Sequence, residues 1–464
     1  MDRLPIRALV VGLMALYLCF SAQPAVGEPQ KLTPQQLQQD YDTLLDVLAD
    51  KHPDATHSAS PTELRRALAK LRQGLNRPMT QNEAWQTFAT LNPVFADGHF
   101  LVALPNWRGM TRQHLKENGT LFPFEAYVEP RGNVFIRSKL GGEASPLVGA
   151  EIKTINGVRA REIALHLLTL VHGDTLKMRA DLLSQRWWLF YWKVYGEPKE
   201  FHLALSGRAP SADTVVPSSH ELPVVLQIED SFEREFHFEL LSNHAALLSI
   251  GAFAWSDKQR FWDFTRAAFT TMHDENVTTL IIDVRYNGGG DDDMWMKGIL
   301  SYIATKRYHW CSRYLARVVP GHQEKGEVIG TVESSELKEW MEPEPNNPVH
   351  FSGKVYVLVG AASYSSTILF ANVMQDYGFG TLAGVGGSAR TQQSGGVQTT
   401  TLPNSGLAVP WPRFILTRPS GATEPRLLTP DIPLADDPYD SRTMVNEVLR
   451  IAARTSTPAV SATR

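Results

Sequence analysis

Leu280-Ile281-Ile282-Asp283-Val284-Arg285-Tyr286-Asn287-Gly288-Gly289-Gly290 is an apolar, β-branched run that ends in three glycines, with Asp291-Asp292-Asp293 directly behind them. The run reads as a buried strand of a mostly parallel sheet. The glycines let the backbone approach a ligand closely and turn its N–H groups inward. The three carboxylates speak against a phosphate guest, and in a first helical turn they complement the macrodipole, a simpler role than metal binding. A developing oxyanion is the sharper expectation, with Gly289 or Gly290 as donor.

On both sides of this stretch the periodicities alternate as in an α/β domain. Ala245 to Ile250 reads as a strand, Phe261, Phe264, Ala268 and Met272 as one face of a helix, and Lys354 to Val359 as a second buried strand. Ser363-Tyr364-Ser365-Ser366-Thr367 follows, then a helix with Phe370, Val373 and Tyr377 on one face. A serine between strand and helix start is more often a cap than a nucleophile, yet this is where nucleophiles are commonly presented. Ser365 is the expected nucleophile: its neighbours are small and the N–H of Ser366 points toward the oxyanion the glycines would hold. Ser363 and Ser366 stay open as alternatives, and no Gly-x-Ser-x-Gly elbow surrounds any of the three.

A serine hydroxyl needs a base. No lysine follows Lys354, which excludes a dyad with a downstream lysine, and of 14 histidines His99 stands out in the short turn Asp97-Gly98-His99 between apolar segments. His52, before Pro53, reads as a helix-terminating contact. Ser335-Glu336-Leu337-Lys338 has the Ser-x-x-Lys spacing of penicillin-recognising hydrolases, but its surroundings are polar and the partner motifs are missing.

At 464 residues the chain is expected to form two or three folded units. Arg3 and Arg7 lead into an apolar run from Ala8 to Phe20 and then Ala25-Val26-Gly27, which reads as a cleaved signal peptide over 1–27. The run is shorter than the ~17–25 residues that span a bilayer, so no stable membrane anchor is expected after cleavage. An exported protein then keeps Cys311 alone, without an internal disulfide. A net charge of −4 and the absence of a polybasic stretch exclude a nucleic-acid footprint. Thr33-Pro34-Gln35-Gln36 opens a helical N-terminal unit over 28–110. Short strand-like runs occupy 120–205, a Ser/Ala/Pro-rich linker 206–222, the α/β domain 223–450 and a disordered tail 451–464.

Ile281 to Gly290, Ser363 to Ser366 with Met374-Gln375-Asp376-Tyr377-Gly378, Asp97-Gly98-His99 and Thr429-Pro430-Asp431-Ile432 together, and in this order, resemble the tail-specific (C-terminal-processing) serine peptidase family. The resemblance implies a ClpP/crotonase-like α/β catalytic domain behind the helical unit, with Ile155-Asn156-Gly157 belonging to a degenerate PDZ-like domain that docks peptides by strand addition. One branch of the family uses a downstream lysine as base; that place holds Arg390, which cannot give up its proton. The chain therefore resembles the branch of the tricorn core protease and interphotoreceptor retinoid-binding protein, where an N-terminal histidine is the base. That branch implies Ser365 as nucleophile, His99 as base and Glu424 as the orienting carboxylate, with Gly289, Gly290 and Ser366 at the oxyanion. The orienting hydroxyl expected just before the base is replaced by Gly98, so Asp97 or a water takes its place. The expected activity is exported, periplasmic or extracellular peptide hydrolysis without cofactor or metal, on peptides or unstructured polypeptides. The rival is a non-catalytic binding protein of the same fold for apolar ligands or peptides.

Overall fold

The computed structural model describes residues 30–207, 213–323 and 326–456. The expected leader lies outside them. The N-terminal helices begin where capping chemistry places them. Thr33 Oγ1 accepts the Gln36 N–H and Gln36 Oε1 accepts that of Thr33, opening α1 (Pro34–Asp46). Ser60 caps α2 (Pro61–Gly74), and Thr80 with Glu83 repeats the reciprocal cap at α3 (Gln81–Phe88). A short α4 (Asn92–Phe95) ends at Ala96, in the left-handed region, and the loop carrying His99 runs on to α5 (Trp107–Lys116).

The next unit is a sheet built from β1 (Phe124–Val128), β2 (Val134–Lys139), β3 (Glu151–Ile155) and β4 (Val158–Arg159). After α6 (Ala160–Leu168), α7 (Leu176–Gln185) and α8 (Trp187–Tyr195) it is completed by β5 (Glu200–Ser206) and β6 (Asp213–Pro217). Part of the expected linker is thus a strand: Thr214-Val215-Val216 is β-branched and pairs antiparallel with β5. Ser184 Oγ on α7 accepts the Val128 N–H at 2.8 Å at the end of β1. Helices and sheet share one core containing Leu44, Phe88, Phe100, Phe122, Trp187 and Phe201. No core boundary falls between residues 110 and 120, because α3 and α8 meet through Trp85 and Phe190.

The α/β unit starts with α9 (Val224–Glu229), α10 (Phe232–Glu235), β7 (Phe236–Leu241), β8 (Ala245–Ile250), α11 (Lys258–Asp274) and β9 (Thr279–Asp283). The short helices α12 (Asp292–Trp295) and α13 (Ser301–Ile303) precede a hairpin of β10 (Arg313–Arg317) and β11 (Val332–Glu336). Then come β12 (Lys354–Val359), α14 (Ser366–Tyr377), β13 (Thr381–Gly384), β14 (Gln393–Gly395), β15 (Gln398–Thr401), β16 (Ala408–Trp411), β17 (Phe414–Thr417), β18 (Ile432–Pro433) and α15 (Arg442–Ser456). The main sheet runs β18-β13-β12-β9-β8-β7, parallel except for β7. Its alternating residues fill two layers: Ile282 and Val357 pack with Phe269 of α11 and Phe370 of α14, while Ile281 and Leu358 pack with Met444 and Val448 of α15. Residues 451–456, expected as disordered tail, continue α15 because Ala452 extends that buried face. Among the described residues no helix is long and apolar enough to cross a membrane.

The β15–β16 hairpin leaves the α/β unit and enters the first core with Leu402, Leu407, Val409 and Trp411. Ala103, four residues beyond His99, pairs with Ala408 through N–H···O bonds of 2.8 and 3.0 Å. Asp40, fully buried on α1, holds the hairpin turn by accepting the N–H groups of Asn404 and Ser405, each at 2.8 Å. Asp40→Ala leaves the buried Ser405 N–H and the half-buried Asn404 N–H without acceptors and is expected to cost roughly 3 kcal/mol. Urea unfolding measures this, and an unchanged midpoint would remove Asp40 from the docking argument.

Candidate active site

β12 ends at Val359, and after a short turn Ser365 takes φ +56° and ψ −126°, a costly conformation for a residue other than glycine. It stands at the head of α14 without making a side-chain cap. The two neighbouring serines are spent on structure. Ser363 Oγ donates to the Val284 carbonyl at 2.7 Å and accepts the Gly360 N–H at 3.0 Å. Ser366 Oγ donates to Asp292 Oδ1 and accepts the indole N–H of Trp295 at 2.9 Å. Ser365, half-buried, is the one whose hydroxyl is left over, and its N–H is held by Gln393 Oε1 at 3.1 Å.

Asn287 brackets the glycine loop to this turn. Its buried Oδ1 accepts the Gly289 N–H at 2.8 Å and the Thr367 hydroxyl at 2.7 Å, and its carbonyl accepts the Tyr364 N–H at 3.1 Å. Gly289 N–H is therefore consumed, which corrects its expected place at the oxyanion. What Gly289 supplies is room: a Cβ there would stand 2.6 Å from Ser365 Cβ. The N–H groups of Gly290 and Ser366 find no acceptor among the described residues. Ser366 opens α14, where N–H groups have no partner within the helix.

The Asp97-Gly98-His99 loop crosses to the same place. His99 Nδ1 lies 3.0 Å from Ser394 Oγ, and Ser394 Oγ donates to Asp97 Oδ1 at 2.8 Å. That oxygen also accepts the His99 backbone N–H at 2.7 Å. Since Ser394 gives its proton to Asp97, Nδ1 is the donor of the histidine and Nε2 carries the lone pair. The ring lies against Tyr364, centroids 4.8 Å apart, one residue before Ser365. Burial lowers the His99 pKa below 6.5 against the pull of Asp97, which keeps the ring neutral near pH 7. Burial pushes the Asp97 carboxyl up, but His99, His52 and the donated hydrogen bonds outweigh it and hold the group below the ordinary carboxylate value.

Glu424 is not part of this arrangement. It is exposed, and its Oε2 accepts the Arg426 N–H at 2.9 Å. The hydroxyl missing at position 98 comes from Ser394 on β14, because a Cβ on Gly98 would lie 2.5 Å from the Tyr364 ring. Arg390 is buried and paired with Asp174 at 3.3 Å. Ser394 and Gln393 carry no motif that would have marked them; their one distinguishing sign, complete burial of a short polar strand, is tertiary. Among the described residues no group of three His, Cys, Asp or Glu side chains could hold a metal ion.

Residues 245–434 match the model of peptidase family S41. No curated protein matches the chain in sequence. Two solved structures of mature CPAF share the fold: the complex with lactacystin is 13% identical with a TM-score of 0.64, covering 91% of this chain and 98% of that one. The second, a crystal structure of mature CPAF, is 14% identical with a TM-score of 0.64, covering 91% and 99%. The segment that holds Ser365, the glycine loop and Ser394 is thus a domain of the tail-specific peptidase family S41, and the chain is a serine-type peptidase.

Proposed function

We propose that the protein is an exported peptidase that hydrolyses peptide bonds by acyl transfer through Ser365, with His99 as general base. The observation that carries this reading is the chain Asp97–Ser394–His99 packed on Tyr364, the residue before the strained Ser365: Nδ1 is committed to Ser394, which leaves Nε2 to take the serine proton. Ser365 Oγ attacks the carbonyl carbon, the proton moves to Nε2, and the imidazolium so formed is stabilised by Asp97 through Ser394. The oxyanion is received by the N–H groups of Gly290 and Ser366. His99 then returns the proton to the leaving amine, and a water repeats the sequence to release the acyl group. Peptides or unstructured polypeptides are the proposed substrates. Export rests on the Arg3, Arg7 and Ala8 to Phe20 pattern, and the proposed location is periplasmic or extracellular.

Mass spectrometry after incubation with a fluorophosphonate tests the mechanism. Labelling should be confined to Ser365 and vanish in Ser365→Ala and His99→Ala, with casein hydrolysis falling by about 10⁴-fold or more. A folded protein that takes no label would favour a non-catalytic binding protein of this fold. Ser394→Ala should lower kcat roughly 10²-fold, whereas Glu424→Gln should change it by less than about twofold, being exposed and bonded only locally. The reverse order of these two effects would return the orienting role to Glu424. The pH profile should fall on the acid side with a midpoint below 6.5, since the base works only when neutral and burial lowers its pKa. A midpoint above 6.5 would contradict this assignment of the base.

A further inference from the structure

A second buried carboxylate meets the same junction, and the mechanism above does not use it. Asp174 stands in the turn between α6 and α7, far in sequence from both His99 and Ser365, and is 6% exposed. Its Oδ1 accepts the phenolic O–H of Tyr364 at 2.9 Å and the Gly98 N–H at 3.1 Å. Its Oδ2 accepts the Arg390 N–H at 2.8 Å. The Arg390 guanidinium lies 3.3 Å from Oδ1 and donates to the Ala96 carbonyl at 2.6 Å. Gly98 N–H lies also 3.0 Å from the Tyr364 oxygen.

One carboxylate thus binds the residue before the base and the residue before the nucleophile at once. The turn that carries it is itself fixed to the catalytic unit, for Thr175 donates to the Ser388 carbonyl and Lys177 to that of Gly386, both at 2.8 Å. A carboxylate with three donors and a guanidinium around it is fully satisfied, and such a buried network is rigid. An ion pair serving only to dock the units would need Arg390 alone; the bonds to Gly98 and Tyr364 set the spacing between two loops from different parts of the chain.

We propose that Asp174 is a positioning residue, which through Gly98 and Tyr364 sets the distance between His99 and Ser365. The proposal rests on the Ser365/His99 reading. A displacement of about 1 Å in such a pair costs on the order of 10²-fold in rate. Asp174→Asn keeps size but loses the charge and one acceptor; Tyr364→Phe keeps the ring against His99 and loses the hydroxyl.

The test is active-site titration of full-length wild type, Asp174→Asn and Tyr364→Phe with a fluorophosphonate, with kcat and KM on casein. Expected are full labelling of Ser365 in all three, a labelling rate constant and kcat reduced roughly 10²-fold in Asp174→Asn and about 10-fold in Tyr364→Phe, and KM within about twofold of wild type. Unchanged rate constants in the variants overturn the proposal. So does a reduced labelled fraction that reacts at the wild-type rate, since this is what loss of docking alone would give. Should Asp174→Asn fail to fold, Tyr364→Phe decides by the same criteria. A wild type that takes no label overturns the peptidase mechanism and this inference together, whereas a labelled wild type with equally reactive variants overturns this inference alone.

Discussion

The parallel pairing of β9 with β12, in the register that sets Leu358 beside Asp283, is the constraint on which the site depends. Both strands end at one edge of the sheet, so the glycine loop after the first and the serine turn after the second emerge side by side. A slip of one residue would send Ile281 and Ile282 to each other's layer and strip both cores. With the register held, contacts too close for any side chain become possible, as between Gly289 and Ser365, and Asn287 can bond both loops.

The other half of the proposed chemistry is imported. His99 reaches the sheet edge because a hairpin of the catalytic unit is built into the core of the N-terminal helices, and because Asn92 ties the returning chain with bonds to Val102 and Leu170. These contacts are made before any substrate arrives. Under the proposed mechanism the cost of ordering these loops is met in folding.

The departure at position 98 shows how a role can move while its geometry stays. Tyr364 fills the space where a side chain on residue 98 would stand, so the hydroxyl that orients the histidine is presented from β14 and the carboxylate behind it is the near neighbour Asp97. Position in the sequence does not assign such roles; the direction in which a hydroxyl or carboxylate is held does.

By itself the sequence determined the strands around Ile281 and Val357, the glycine loop, the helices opened by Thr33 and Thr80 and the place of Ser365 between strand and helix. Each is a local matter of period, cap or backbone freedom, readable within a few residues. Tertiary structure decided that Ser363 and Ser366 are spent on neighbours, that Gly289 N–H is taken by Asn287, that Ser394 with Asp97 behind it stands at the histidine while Glu424 does not, and that residues 213–217 and 451–456 join a sheet and a helix. The physical reason is distance along the chain. Ser394 and His99 are 295 residues apart, and a hydrogen bond between them has no local period, propensity or cap to announce it; it exists once packing has brought two units together.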